Sequence, residues 1–500
     1  MLTGARRGPP GPAGARRGPA AAGRRRTNYN YNYNVQVGSS RGGIRWEGKK
    51  GGVTMSAVLG PVTRRGQAAR GALAAATGLL AACAPAGPSG GQGPAAEPQE
   101  VTWSRQPLGE PRDSLLLAHL RRAADATGVR IADVLEPGGT PYLEKRTAEH
   151  AGGTASVDVM YNQLNWHLPL GLQGALVDHS PYFRRDRVDT KQWYPAAFEQ
   201  WAWKDKLYAI AYQTGGAAVL FNKALFGAKG VKLPHKDWTF DEFLDAARRL
   251  TDAPSNKFGV EVGQNGVHYQ LGTFVLSFGG QRLNAAKDRA LYGDDANAIR
   301  GAELDVDLHT KHRVTPTAEA RQTLPANVPA MEAGMTAMEL NGLFRHVTVR
   351  AAIGAENLDF APPPRGPTGL QRVAVGGNAW SIMALSKARE AAWKVLKWTF
   401  GKEGMSGPLL QFVSWPPLVW AAASPQWLDL FKGTHIADCA RVWETGGHDL
   451  LPLPEGDTAW TTMNAPLNQA LRGELATREA MRESARQLNE LFAQRPAAWK

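Results

Sequence analysis

The most regular pattern of apolar and polar positions lies between residues 207 and 250, and it predicts a strand followed by a helix. Residues 217–221 form an apolar run of strand length, which is typical of a buried strand in a parallel sheet. The preceding residues 212–216 are aromatic, polar and glycine-rich. Their two glycines favour a hinge-like run, because glycine adopts backbone angles that other residues resist. We therefore expect a hinge that leads into a core strand.

The helix after this strand has clear signals in its first turn. Thr239 can accept a hydrogen bond from the amide of Glu242, and the Glu242 carboxylate can accept one from the amide of Thr239. This arrangement is a capping box, and Trp238 and Phe243 have the spacing of the hydrophobic staple that often accompanies it. The apolar face of the predicted helix comprises Phe240, Phe243, Leu244, Ala247 and Leu250.

A strand, a helix and a second strand are predicted where the globular part of the chain begins. Residues 101–103 and 129–131 have strand character, and residues 113–127 between them carry apolar positions at helical spacing. This order predicts a parallel α/β layer.

Several segments resemble the motifs of one protein family. These segments are Phe221-Asn222-Lys223, the helix start at Trp238–Phe243, Ala151–Val159 (AGGTASVDV), Gly334–Phe344 (GMTAMELNGLF) and Val375–Ile382 (VGGNAWSI). The family is that of the extracellular solute-binding proteins of ABC importers, specifically the sugar-type family 1. Val157 replaces the proline that is usual in that family, and Phe344 replaces a frequent tryptophan. The resemblance covers nearly all of residues 101–500.

The resemblance implies an α/β architecture with two lobes, the periplasmic-binding-protein fold of the type II-like kind. Three hinge crossovers would join the lobes, and the ligand would bind in the cleft between them. The implied first lobe comprises residues 101–213 and 374–415. The implied second lobe comprises residues 214–373 and 416–500.

The resemblance also implies which side chains face the cleft. Amides can donate to and accept from sugar hydroxyls, and aromatic rings cover the C–H faces of a sugar. The candidate ligand-binding residues are Trp103, Asn162, Gln163, Trp166, Tyr212, Gln213, Thr214, Asn341, Phe344, Gly377, Asn378, Trp380, Trp415 and Trp460. No cofactor, metal ion or catalytic residue is expected.

The first hundred residues differ in composition from the rest. Residues 1–54 have no apolar period, and we interpret them as a disordered basic arm or as an extension upstream of a start at Met55. Residues 55–82 have the charged and apolar regions of a signal peptide, with a run too short to span a bilayer. The segment ends in Leu-Ala-Ala-Cys, which resembles a bacterial lipobox with Cys83 as the lipidated residue. Residues 83–100 then suit a flexible tether.

The net charge of +13 comes from the beginning of the chain. Residues 1–82 contain 14 of the 58 basic residues and one of the 45 acidic ones, which leaves 44 of each in residues 83–500. The charge therefore gives no reason to expect nucleic acid as a partner of the globular part.

The implied function is capture of a solute, most simply a mono- or oligosaccharide, and its delivery to the permease subunits of an ABC importer. The protein would be exported and held on the outer side of the cell membrane, in the periplasm or outside the cell, by the lipid on Cys83. Because the basic residues Arg345 and Arg350 could bind an anion, an anionic solute stays a second alternative. The alternative is a secreted glycoside-acting enzyme with a carboxylate pair, for which Asp158, Glu339 and Asp359 offer no distinctive spacing.

Overall fold

A computed structural model describes residues 48–50, 53–55, 100–262, 270–325, 328–449 and 451–499. The predicted signal peptide lies outside the described residues apart from Met55, as do Cys83 and the tether up to residue 99. The strands are β1 (Gly48–Lys50), β2 (Val53–Met55), β3 (Glu100–Arg105), β4 (Arg130–Leu135), β5 (Val159–Gln163), β6 (Ala202–Trp203), β7 (Lys206–Leu207), β8 (Ile210–Asn222), β9 (Phe258–Val262), β10 (Thr336–Gly342), β11 (Leu358–Ala361), β12 (Val373–Ile382) and β13 (Gly447–Asp449).

The α-helices are α1 (Arg112–Thr127), α2 (Thr140–Ala151), α3 (His167–Leu172), α4 (Ser180–Arg185), α5 (Pro195–Glu199), α6 (Lys223–Lys229), α7 (Phe240–Leu250), α8 (Gln270–Ser277), α9 (Ala296–Thr310), α10 (Ala318–Gln322), α11 (His346–Ile353), α12 (Arg389–Thr399), α13 (Pro408–Phe412), α14 (Val419–Ala422), α15 (Pro425–Leu430), α16 (Ile436–Gly446), α17 (Asp457–Leu471) and α18 (Thr477–Ala493).

A mixed sheet runs through the molecule in the order β4-β3-β5-β12-β8-β10-β9. Strand β11 also pairs with β8, and β13 also pairs with β12. The parallel pairing of β3 with β4 confirms the α/β layer predicted at the start of the globular part. Helix α1 connects these two strands, as expected for a parallel crossover.

Strand β8 joins the two halves of the sheet. Its first part pairs with β12, and its second part pairs with β10 and β11. Residues 212–216, predicted as a hinge-like run before the strand, are themselves part of β8 at the point where it passes between the halves. The apolar run 217–221 is buried as predicted, but its pairing with both neighbours is antiparallel. Burial of both faces, rather than parallel pairing, explains the uninterrupted apolar run.

Two main hydrophobic clusters pack against the sheet. The larger one packs β3, β5 and β12 with α1, α12 and α13, and it continues to Leu220 of β8 and Phe360 of β11 in the other half. In the second cluster, the end of β8 packs with β9, β10 and α7. A further helical layer, in which α17 and α18 pack on α8 and α9, extends the second half. The chain passes between the halves along β8 and β12 and again near Trp415, which bridges to Thr214. The lobe boundaries drawn from the sequence stay a prediction.

The start of α7 confirms the local prediction. The amide of Glu242 donates to Thr239 Oγ1 at 3.2 Å, and the amide of Thr239 donates to Glu242 Oε2 at 2.8 Å. The Trp238 ring meets the Phe243 ring edge-on with 5.6 Å between centroids. These contacts fix the position of the helix that covers the core of the second half.

Candidate functional site

A cavity lies where the three connections between the two halves of the sheet meet. It encloses about 210 Å³ of space between atoms, part of which is open to solvent. Strand β8, strand β12, the turn after β10 and the third connection all contribute to its wall. The lining residues are Gln213, Thr214, Gly215, Leu343, Phe344, Gly376, Gly377, Asn378 and Ser414.

Hydrogen bonds across the three connections hold the polar part of this wall. Gln213 Nε2 donates to Asn378 Oδ1, and Gln213 Oε1 accepts from both the amide and the hydroxyl of Ser414, at 3.2 and 3.1 Å. Thr214 Oγ1 donates to the carbonyl of Gly376 at 3.1 Å. Because amide side chains both donate and accept, this wall suits hydroxyl groups.

Asn378 also connects the cavity to the interior of the first half. Its Nδ2 donates to the hydroxyl of Tyr161, which also accepts from Gln163 Nε2 at 3.2 Å. Burial raises the pKa of Tyr161 to about 12, so this hydroxyl is neutral at physiological pH. The network thus places amides and a neutral phenol beside one another without a formal charge.

Glycines let the backbones approach closely at the cavity. A Cβ on Gly377 would lie 2.2 Å from the carbonyl oxygen of Gln213, so no other residue fits there without movement of the backbone. Gly215 has a φ of +147°, which also favours glycine. The side chains of Leu343 and Phe344 form the apolar part of the wall.

The structure brings five of the sequence-predicted site residues together at this cavity, namely Gln213, Thr214, Phe344, Gly377 and Asn378. Gln163 does not line the cavity, but it is linked to the lining residue Asn378, because both side chains donate to the Tyr161 hydroxyl. Gly215, Leu343, Gly376 and Ser414 were missed. Each is adjacent in sequence to a predicted residue, which is the signal that could have found them.

Three predicted aromatic residues lie in the core of the first half instead of on the cavity. The ring of Trp380 stacks on Tyr212 with 4.2 Å between centroids and meets Trp103 edge-on at 5.0 Å. All three side chains are buried. Strand β8 has an irregular register here, in which Tyr212 has no partner on β12. Trp380 lies on the same face of the sheet as Asn378. On that face, the rings of Tyr212 and of His119 from α1 stack on Trp380 and cover it.

The remaining predicted residues are also distributed around the cavity rather than on it. Trp166 stacks on Tyr142, and Asn162 donates to Ser381 Oγ at 2.8 Å within the first half. Asn341 donates to Glu339 in the second half.

Trp415 and Trp460 contribute to packing near the connections. Trp415 contacts the rings of Trp427 and Trp443 edge-on, at 5.4 and 5.1 Å. Trp460, on α17, packs against both the core of the first half and the helical layer.

The carboxylates proposed for the alternative enzyme have structural partners. Asp158 accepts from the amide and hydroxyl of Thr102 and from Ser386. Glu339 pairs with Arg345, and Asp359 accepts from the amide of His435. Glu339 and Asp359 pair with consecutive residues of β8, so their side chains start on opposite faces of that sheet. This placement gives no support to a carboxylate pair.

No helix in the described part of the chain is long and apolar enough to cross a membrane. That same part contains no group of three or more His, Cys, Asp or Glu side chains that could hold a metal ion.

The sequence is similar to that of a curated polyol-binding protein. Over 311 residues it is 24% identical to an erythritol/L-threitol-binding protein from Mycolicibacterium smegmatis, a match that covers 57% of this chain. The chain spans 64% of the length of that relative.

Solved structures of ABC solute-binding proteins share the fold. The protein from Listeria monocytogenes in complex with cycloalternan has a TM-score of 0.68 at 17% identity, over 79% of this chain and 99% of that one. The protein from Agrobacterium radiobacter K84 in complex with ribitol has a TM-score of 0.65 at 19% identity, over 78% and 98%. These similarities confirm the two-lobe α/β fold of periplasmic-binding proteins, so the two halves of the sheet are its lobes.

The family model of the bacterial extracellular solute-binding proteins matches residues 121–406, which is more than half of the chain. This region includes strands β8, β10 and β12 and the cavity residues up to Asn378. The chain therefore belongs to the family of bacterial extracellular solute-binding proteins.

Proposed function

We propose that this protein captures a small polyhydroxylated solute, a monosaccharide or a sugar alcohol, between its lobes and delivers it to an ABC importer. The observation that carries this proposal is the cavity at the three connections, where amide and hydroxyl groups from both strands and from Ser414 converge beside Phe344. No charged side chain is among its described lining residues. Amides and hydroxyls recognise hydroxyls, and the phenyl ring covers C–H groups.

The relatives favour the small end of the sugar class. The 24% identical relative is named for erythritol and L-threitol, and structural neighbours were solved with ribitol and with tagatose. Other neighbours were solved with maltose or longer sugars, so we infer the smaller solute from the sequence relative and not from the fold.

Binding would stabilise the closed arrangement of the lobes. The cavity wall is shared by both lobes, because Gln213 and Asn378 come from the strands that cross between them and Phe344 follows a strand of the second lobe. A solute that contacts all three gains most affinity when the lobes are together. Closure then follows from this difference in affinity between the open and closed states.

A thermal-unfolding screen tests this proposal. Small sugar alcohols and monosaccharides should raise the unfolding midpoint of the purified protein, since a ligand of the native state stabilises it. Asn378→Ala should weaken binding about ten- to hundredfold, as expected for the loss of hydrogen bonds worth ~1–3 kcal/mol. Asn468→Ala, at an exposed position of α17, is the matched control and should bind like the unaltered protein.

Two results would argue against the proposal. A midpoint shift with amino acids or peptides alone would keep the fold and change the solute class. Turnover of a glycoside by the purified protein, abolished by Glu339→Gln, would favour the secreted enzyme instead.

We further propose that the protein is exported and anchored by a lipid on Cys83. The support is the sequence Leu-Ala-Ala-Cys at the end of an apolar run, together with membership of an extracellular family. Cells supplied with labelled palmitate should label the unaltered protein, whereas Cys83→Ser should remain unlabelled and in precursor form. Equal labelling of both proteins would contradict the lipid anchor on Cys83.

The start of translation is tested separately. Detection of peptides from residues 1–54 in the precursor would contradict a start at Met55.

A further inference from the structure

Arg112, the first residue of α1, is a buried cation without a bonding partner. Its side chain is only 9% exposed, and its Nε has no hydrogen-bond partner. Within the described residues, no hydrogen bond and no ion pair involves its guanidinium group. Other buried arginines are paired: Arg105 with Asp113 and Asp133, Arg146 with Glu136, and Arg495 with Glu455.

The surroundings of Arg112 do not compensate its charge. Its guanidinium carbon lies 4.9 Å from the centroid of the Phe412 ring, which offers a cation–π contact. The neighbouring Tyr161 and Tyr212 are buried, and burial raises the pKa of both phenols, so they stay neutral. The carboxylate of Asp113 is already taken up by Arg105 and by the amides of Leu108 and Gly109.

Two features of the position of Arg112 raise the electrostatic energy of its charged guanidinium. A cation at the first residue of a helix faces the positive end of the helix dipole. The positive charge of Arg345, in the second lobe, repels the Arg112 guanidinium. Burial, together with this repulsion, lowers the pKa of Arg112. A buried guanidinium with no acceptor is costly, because it loses the hydration that it has in water.

Arg112 does not line the cavity, but it interacts with residues next to the cavity wall. Phe412, under its guanidinium, precedes the cavity residue Ser414 by two positions. Tyr161 accepts a hydrogen bond from Asn378 of the cavity wall. Arg345 directly follows Phe344, which also lines the cavity. Arg112 therefore lies near the part of the wall that Tyr161 and Asn378 share, within electrostatic reach of Arg345.

We propose that Arg112 is an anion subsite next to the hydroxyl-binding cavity, and that the solute is a polyol bearing one acidic group. A guanidinium group matches a carboxylate or a phosphate through two parallel hydrogen bonds. Bound there, the anion would supply the acceptors that Arg112 lacks and the negative charge that the start of α1 favours. This inference rests on the proposed function, since the hydroxyl groups of the same solute would occupy the cavity.

Matched solutes test the inference by calorimetric titration of the purified protein. The set comprises erythritol, erythronate and erythritol phosphate, and the equivalent ribitol, ribonate and ribitol phosphate. At least one acidic member should bind ten- to hundredfold more tightly than the neutral polyol of the same length. The tighter of the two acids identifies a carboxylate or a phosphate as the natural group.

Variants at Arg112 separate the anion subsite from a general role in binding. Arg112→Gln should abolish the preference for acid while it changes the affinity for the neutral polyol less than threefold. Arg112→Lys should keep part of the preference, because it retains the charge and loses the paired hydrogen bonds. Both variants should unfold at or above the temperature of the unaltered protein without solute, since a costly buried group is removed or rehydrated.

Three results would overturn the inference. These are equal or tighter binding of the neutral polyol by the unaltered protein, an equal loss for neutral and acidic solutes in Arg112→Gln, and an unchanged acid preference in that variant. Binding of neutral polyols without any acid preference would leave the proposed function standing. Binding of neither class would contradict the proposed function itself.

Discussion

Replacing Arg345 by methionine is expected to lower the free energy of unfolding by about 3–5 kcal/mol, the usual cost of breaking a buried ion pair from one side. Arg345 Nε donates to Glu339 at 2.9 Å, and its Nη2 donates to Glu332. The three side chains are between 3% and 9% exposed. Although burial alone lowers the pKa of the guanidinium, the two carboxylates outweigh it and raise that pKa. The variant would leave two carboxylates buried without a cation.

Urea unfolding of a matched variant set measures this effect. The triple variant Arg345→Met, Glu332→Gln, Glu339→Gln should recover most of the lost stability, because it removes the uncompensated charges together with the cation. The single variant should lose less stability at pH 5 than at pH 8, because burial raises the pKa of Glu339 and the variant removes the guanidinium that opposes this rise. A single variant within 1 kcal/mol of the unaltered protein at pH 8 would show that the network is not buried as described.

The second large effect is a gain in stability from Asp305→Asn. Asp305 lies on α9, 5% exposed, and its Oδ1 has no hydrogen-bond partner among the described residues. Burial raises the pKa of its carboxyl group to about 7. In the unfolded chain the group ionises near its ordinary pKa of about 3.9. Its ionisation therefore favours unfolding as the pH rises from 4 to 7.

The sign and size of this effect can be measured. Below pH 4 the carboxyl is protonated in both states, so Asp305→Asn should change stability little. Above pH 7 the full penalty applies, and the variant should be more stable by at most about 4 kcal/mol. Asp245→Asn, at an exposed position on α7, should show no such dependence. A gain that is equal at pH 4 and pH 8 would contradict the account.

The parts of the fold that depend on neighbouring residues could be predicted from the sequence. The start of α7 is specified by Thr239, Glu242 and Trp238 themselves, so the capping box and the staple are both present. The core character of residues 217–221 is likewise visible in their uninterrupted apolar run. The family resemblance added the crossovers, and it located Gln213, Thr214, Gly377 and Asn378 on what proved to be the cavity wall.

The errors concern features that depend on distant parts of the chain. The glycines at 215 and 216 indicate a hinge-like run separate from the strand when read alone, but pairing with β12 makes them part of β8. Trp380 is flanked by polar and glycine residues, which favoured a cleft position. It is buried because α1 and the unpaired Tyr212 cover its face of the sheet, and neither contact is visible from residues 375–382.

Calorimetric titration of the purified protein with a small polyol series tests the central claim most directly. We predict that each chain binds one solute molecule saturably. The solute is a tetritol, a pentitol, a monosaccharide or an acid derived from one of them. That binding should weaken at least tenfold in Asn378→Ala and remain unchanged in Asn468→Ala. Binding of none of these solutes, or binding that Asn378→Ala leaves unaltered, would contradict a hydroxyl-recognising cavity at the lobe connections.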